Sequence, residues 1–183
     1  LQRAHLIEVQ EGRAADLERG LLSGKLDAAI SLVEPGIADR QRATPLYTEP
    51  YRLLLPANHE LAGQPLVNAV DLANQPMIAR RSCELLGRTS QFFTERGVRP
   101  PFSFKSHNDQ RAITMVAAGI GATVAPATFH REGVAQLDMQ DFDFQRTVAF
   151  LLPASRSLAK ESEEALLSAA QNAARTIRAL SGL

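Results

Sequence analysis

The sequence predicts an α/β protein of two facing lobes, and two stretches of like grammar carry that prediction. Around residues 113–126 an apolar helical face (Ile113, Val116, Ala117) stops at Gly119. A short buried strand follows through Ile120, Thr123 and Val124, and Pro126 ends it. Gly119 suits a left-handed position after a helix, and Gly121 lets the backbone turn or approach a neighbour closely. Earlier, Asp16 to Leu22 reads as a short helix, Gly24 as its stop, and Leu26 to Ile30 as a strand. A helix–Gly–strand unit this tight usually ends where a cleft opens at the carboxyl edge of a sheet.

The elements between and beyond these units follow from periodicity and breakers. Ile7-Glu8-Val9-Gln10 alternates as a strand, and Glu11-Gly12-Arg13 turns into a helix over Ala14 to Leu22. Pro35, Gly36 and Asp39 mark a loop. Tyr51 to Leu55 is an apolar strand closed by Pro56, and Asn58 to Gln64 is a loop. Asp71-Leu72-Ala73 forms one helical turn, and Met77-Ile78-Ala79 a short strand. Ser82 is placed to cap a helix that runs to Gly97, with Leu85, Leu86, Phe92 and Phe93 on one side. Pro100-Pro101 breaks the chain before a strand at Phe102 and Phe104, which leads to a polar turn at Ser106-His107-Asn108. After a brief turn near Phe129, strands are expected at Ala135–Met139 and Arg146–Leu152. The last helix is the clearest, with Leu158, Ala165, Leu166, Ala169, Ala173, Ile177 and Leu180 at helical spacing. Alternating strands and helices imply largely parallel sheets.

Composition narrows the function. The chain has 183 residues, 45% hydrophobic and 22% charged, enough for one domain or two small lobes. Twenty basic residues balance twenty acidic ones, which argues against a nucleic-acid surface on this segment, because phosphate contacts need clustered Lys and Arg. No apolar run approaches the roughly 20 residues of a membrane span. The opening residues carry neither an initiator Met nor a secretion signal, so an excised piece of a longer, cytoplasmic protein is expected. One cysteine, Cys83, excludes an internal disulfide and a Cys-rich zinc site. No metal or cofactor is expected.

Four segments in order, Leu22-Ser-Gly-Lys-Leu-Asp-Ala-Ala-Ile30, Leu54-Leu-Pro-Ala-Asn-His-Glu-Leu61, Asp71-Leu-Ala-Asn-Gln-Pro-Met-Ile78 and Met115 to Pro126, resemble the C-terminal effector-binding domain of LysR-type transcriptional regulators. The resemblance covers nearly the whole chain, although the family's opening strand and its N-terminal winged helix-turn-helix have no counterpart here. It implies a fold like that of type 2 periplasmic binding proteins, two Rossmann-like lobes joined by two crossing strands. Lobe I would comprise residues 1–52 and 150–183, and lobe II residues 53–149. It further implies a small-molecule effector, a carboxylate or aromatic acid, bound in the cleft. Self-association as a dimer, or as a tetramer in the full-length protein, would involve helices at Ala14–Leu22 and Gln110–Ala118, with DNA bound only through the missing domain.

By the same comparison three turns lead into helices on the cleft side: Gly12-Arg13-Ala14, Arg80-Arg81-Ser82-Cys83 and Ser106-His107-Asn108. Pro126 joins them as a candidate contact. Helix N-termini offer free N–H groups and partial positive charge to an anion. Carboxylate-binding members often carry Ser or Thr where Ala14 stands, which leaves only backbone donors at that turn. Arg80 and Arg81 are the sharpest candidates, because a guanidinium grips a carboxylate through two parallel bonds. The plainer alternative places them in solvent. His107 suits either a hydrogen bond to ligand or an ordinary surface position, and Ser106 and Asn108 fit helix caps as well as ligand contacts. A helix N-terminus beside two arginines would lower the Cys83 thiol's pKa. The alternative is a half-buried filler. The four histidines (His5, His59, His107, His130) lack metal-ligand spacing, and no nucleophile elbow or phosphate-cradling loop occurs. The chain is therefore read as a non-enzymatic sensing module. A transport-type solute-binding protein of the same architecture is the alternative.

Overall fold

The computed structural model describes residues 7–33, 41–155 and 157–182. The expected loop at Pro35, Gly36 and Asp39, and His5, lie outside them. In chain order the elements are α1 (Ala14–Ser23), β1 (Ala29–Leu32), β2 (Gln41–Pro56), β3 (Met77–Arg80), α2 (Leu86–Glu95), β4 (Phe102–Ser106), α3 (Asp109–Ala117), β5 (Thr123–Pro126), β6 (Val134–Leu137), β7 (Gln145–Pro153) and α4 (Lys160–Ser181). A 3₁₀ turn at Ala69–Leu72 precedes β3. The chain divides into two compact units, one of Leu1–Tyr47 with Thr147–Arg175, the other of Thr48–Arg146 with Thr176–Leu183. β2 and β7 therefore each pass from one unit to the other, at 47/48 and 146/147.

In the first unit β1 pairs antiparallel with β7, from Ala29 opposite Leu151 to Leu32 opposite Val148. Alternate residues of β7 serve two layers. Ala149 and Leu151 pack with Leu21 of α1, whereas Phe150 and Leu152 pack with Ala170 of α4. The Arg42 guanidinium, on β2, makes a two-bond fork to Glu163 of α4, both bonds at 3.0 Å. The second unit repeats this arrangement. Leu53, Leu54 and Leu55 are all fully buried because both faces of β2 are covered. Leu53 and Leu55 join Phe92 and Phe93 of α2, and Leu54 joins Ala112, Ile113 and Val116 of α3. Here β2 pairs antiparallel with β5 and with β6, while β3 pairs parallel with β4.

Gly119 closes α3 with φ of 78°, a conformation that side chains resist. Gly121 is needed for space: a Cβ there would lie 2.5 Å from the carbonyl oxygen of Pro76. This close approach lets Ala122 N–H bond Pro76 O at 2.8 Å and Ile78 N–H bond Ala122 O at 2.7 Å, which seats β5 beside β3.

Several expectations fail for identifiable reasons. Residues 7–10 form no strand, and Ile7 and Val9 are exposed, because alternation makes a strand only when a neighbour accepts its hydrogen bonds. β3–β4 is parallel, as is the bridge of Met77 to Ala122 that places β5 beside β3, but β1–β7, β2–β5 and β2–β6 are antiparallel, so the sheets are mixed and not largely parallel. β2 and β7 are the long strands, and their pairings with β1, β5 and β6 are all with strands of opposite sense. Helix α2 starts at Leu86 rather than after Ser82, since residues 81–85 form a turn. β2 is 16 residues long, Gln41–Pro56, where the sequence suggests a strand only over Tyr51 to Leu55, and it runs through Pro45 and Pro50.

Candidate functional site

The parallel β3–β4 pair sets out the site in the second unit. Arg80 and Ser106 are register partners at the ends of these strands, so the turns that follow both leave from the same edge. Two bonds then lock the turns together, and a third braces the 106–108 turn internally. Arg81 N–H donates to Ser106 O at 2.7 Å, and Ser82 Oγ donates to His107 O at 2.7 Å. Ser106 Oγ accepts from Asn108 N–H at 3.0 Å. Asn108 caps α3, its Oδ1 accepting from Arg111 N–H at 2.8 Å. Ser106, His107 and Asn108 are thus brought against Arg81 and Ser82. The hydroxyls and the amide of this group are engaged in bracing the turns.

Arg80 is not the ligand grip that the sequence suggests. Its side chain is 2% exposed, and its fork is taken by Asp109 at the start of α3, with Nε to Oδ1 at 2.9 Å and Nη2 to Oδ2 at 3.0 Å. Nη1 donates to Val124 O at 3.0 Å, and the guanidinium lies 4.8 Å from the Phe129 ring centroid. A guanidinium so engaged has no fork left for a second carboxylate. Arg81 is exposed and has no ion-pair partner among the described residues. It stands beside the α3 N-terminus, where the amides of Asp109 and Gln110 have no partner within the helix while that of Arg111 is capped by Asn108.

Cys83 is also corrected. Burial raises its thiol pKa and outweighs the opposing effect of Arg80, so it is no activated thiolate. It does not sit on a helix N-terminus, because α2 begins only at Leu86. Its surroundings are apolar: with Met77, Leu86, Phe93 and Phe102 it borders a cavity of about 60 Å³. A benzene-sized guest needs roughly 150 Å³. The half-buried filler is the better account of Cys83. Pro126 is buried at the end of β5, opposite Tyr51 on β2.

Gly12, Arg13 and Ala14 belong to the first unit. Arg13 is the residue before α1, with extended backbone and no side-chain cap; its carbonyl accepts from Asp16 N–H at 2.9 Å and Leu17 N–H at 3.0 Å. Gly12 and Arg13 are exposed and Ala14 is half-buried.

Sequence reasoning misses a charged group behind the braced turns. Glu49, whose side chain has no exposed surface, pairs with Arg146 at 2.8 Å, and Arg146 reaches Glu84 at 3.5 Å. Tyr51 donates its hydroxyl to Glu84. Burial and the Glu84 carboxylate push the tyrosine's pKa up. Burial lowers that of Arg146, but Glu49, Tyr51 and Glu84 together carry it above the usual value. No local signal marks Glu49 or Arg146, each of which sits next to ordinary strand residues. Among the described residues no group of three His, Cys, Asp or Glu side chains is placed to hold a metal. No helix there is long and apolar enough to cross a membrane.

Comparisons with known proteins agree with this architecture. Residues 5–174 match the family model described as the LysR substrate binding domain, whose fold is that of periplasmic binding proteins. The chain is 27% identical over 124 residues to the HTH-type transcriptional regulator TtuA of Agrobacterium vitis, covering 66% of this chain and 41% of TtuA. It is 29% identical over 150 residues to the hydrogen peroxide-inducible genes activator of Pectobacterium carotovorum subsp. carotovorum, covering 78% of this chain and 49% of that protein. The crystal structure of HinK, a LysR family transcriptional regulator from Pseudomonas aeruginosa, superposes with a TM-score of 0.69 at 27% identity, covering 82% of this chain and 54% of HinK. The chain thus spans about half, or less, of the length of the curated relatives it matches.

Proposed function

Because the chain belongs to the family of LysR-type effector-binding domains, we propose that it senses a small anionic metabolite for a transcriptional regulator whose DNA-binding part lies in another segment. The observation that carries this reading is the pair of braced turns beside the α3 N-terminus, with Arg81 unpaired among the described residues. In this reading Arg81 supplies the charge, and the open amides of α3 supply directional donors to the same anion. Ser82, His107 and Asn108 hold the turns in place. Arg80, through Asp109, fixes where α3 begins. In this reading the two units stand for lobes I and II, with the passages at 47/48 and 146/147 instead of 52/53 and 149/150 and with Thr176–Leu183 in the second unit. Binding changes the protein's behaviour only as far as the effector prefers one conformation over another.

Occupancy would pass to neighbouring copies through α1 and α3, the helices proposed for self-association. A thermal-shift screen of small carboxylates and aromatic acids identifies the effector class. For a carboxylate that binds, Arg81→Ala weakens affinity by about 1.5–3 kcal/mol, the range for hydrogen bonds to charged groups. Calorimetry checks this, and unchanged affinity removes Arg81 from the site.

A further inference from the structure

The polar group around Arg146 has no part in the binding site described above, yet its Glu49 and Tyr51 are buried. Glu49 keeps both carboxylate oxygens occupied, Oε1 by Arg146 Nε at 2.8 Å and Oε2 by Thr128 N–H at 2.8 Å. A buried carboxylate persists only when its charge and lone pairs are met in this way. Arg146 also lies over the rings of Tyr51 and Phe129, 5.9 and 5.5 Å from their centroids. Its second carboxylate, Glu84, is held more loosely. That contact is 3.5 Å long, and the Glu84 side chain is 29% exposed. Of the two carboxylates that share this guanidinium, Glu49 is the fixed one and Glu84 the exchangeable one.

The positions of these residues along the chain turn a local cluster into a connection. Glu49 and Tyr51 lie on β2 and Arg146 lies on β7, the two strands by which the chain passes between its units. All three sit within four residues of those passages. Glu84 comes from elsewhere, the turn after β3 that carries Arg81, Ser82 and Cys83. A single carboxylate oxygen of that turn meets the Tyr51 hydroxyl from one linking strand and the Arg146 guanidinium from the other.

We propose that Glu84 couples the 80–84 turn to both linking strands, through Tyr51 on one and Arg146 on the other, with Glu49 as the anchor that holds Arg146 in place. Movement of the turn makes or breaks the Glu84 contact and so loosens or tightens the strands where they leave the second unit. Glu49 prevents Arg146 from following the turn, which makes the Glu84 contact the point of give. The coupling stands on geometry alone. Its use as a relay for effector binding rests on the reading of Arg81 given above.

Hydrogen–deuterium exchange on the effector-free protein tests the coupling, comparing wild type with Glu84→Gln, Tyr51→Phe and Glu49→Gln. Glu84→Gln and Tyr51→Phe should each speed amide exchange about fivefold or more in residues 46–52 and 144–148, while α3 stays within about twofold of wild type. Glu49→Gln should loosen the same segments and also Thr128, whose amide loses its charged acceptor. Tyr51→Phe keeps the ring and its packing, so it reports even where Glu84→Gln impairs folding. Wild-type exchange in the strands of both variants overturns the proposal. So does a response in one strand only, or an equal rise in α3, which marks general destabilisation. Because no effector is present, failure here is distinct from failure of Arg81→Ala to weaken binding.

Discussion

Removing the carboxylate of Asp109 tests how much of the second unit depends on the buried Arg80. The Arg80 side chain is 2% exposed and Asp109 30% exposed, so the two halves of the pair are unequally desolvated. Asp109→Ala leaves a buried guanidinium with one carbonyl, Val124 O, and the Phe129 ring. Breaking a buried ion pair from one side costs about 3–5 kcal/mol. Water can reach the vacated side, since Asp109 is partly exposed, so the lower end near 3 kcal/mol is expected here. Arg80→Met removes the costly charge instead, fills much of its volume and leaves a carboxylate that solvent can hydrate, for a loss of about 1.5 kcal/mol or less. The asymmetry is the diagnostic quantity. Equilibrium urea unfolding followed by far-UV circular dichroism, at one protein concentration and with the slopes compared, measures it. An Asp109→Ala variant as stable as wild type, or an Arg80→Met variant that loses as much, would refute the assignment of Arg80 as a buried, Asp109-dependent charge.

Three further outcomes follow from the geometry. Gly121→Ala places a Cβ 2.5 Å from a backbone oxygen that cannot rotate away, so a loss of about 1–3 kcal/mol is expected in the same unfolding assay; a neutral substitution would show that β5 is free to shift. Because burial raises the Cys83 pKa, the unfolded chain releases the thiol proton at lower pH than the folded one. The protection this gives is complete below the unfolded thiol's pKa and declines as pH rises above it. Alkylation near neutral pH should accordingly run at least about tenfold slower in the folded protein than in urea, and equal rates would return Cys83 to the reactive class. Sedimentation at micromolar concentration should show a dimer, and a clean monomer mass would contradict the roles proposed for α1 and α3.

How much was legible in the sequence depended on whether the signal was local. Helix α1, the stops at Gly24 and Gly119, the strand ending at Pro126 and the long α4 were all readable, because each is set by side-chain spacing and by residues that tolerate only one backbone conformation. The four ordered segments that resemble the LysR effector-binding domain were equally local, and the family match over residues 5–174 agrees with them.

What only the tertiary structure decided was which groups pay for burial and which face an open surface. Arg80 and Arg81 are adjacent and chemically identical, yet one is sealed against Asp109 and the other is exposed, because β3 ends between them. Ser82 braces a distant turn at His107 instead of starting a helix, since the register of β3 with β4 brings that carbonyl within reach. Glu49 and Arg146 stand 97 residues apart, and neither carries a local mark of the other. By itself the sequence determined most of the elements and the family, though not the fate of residues 7–10 or the start of α2. The partners of its buried charges were decided by strand pairing, because the identity of a neighbour across a sheet is a property of the assembled fold and not of any stretch of chain.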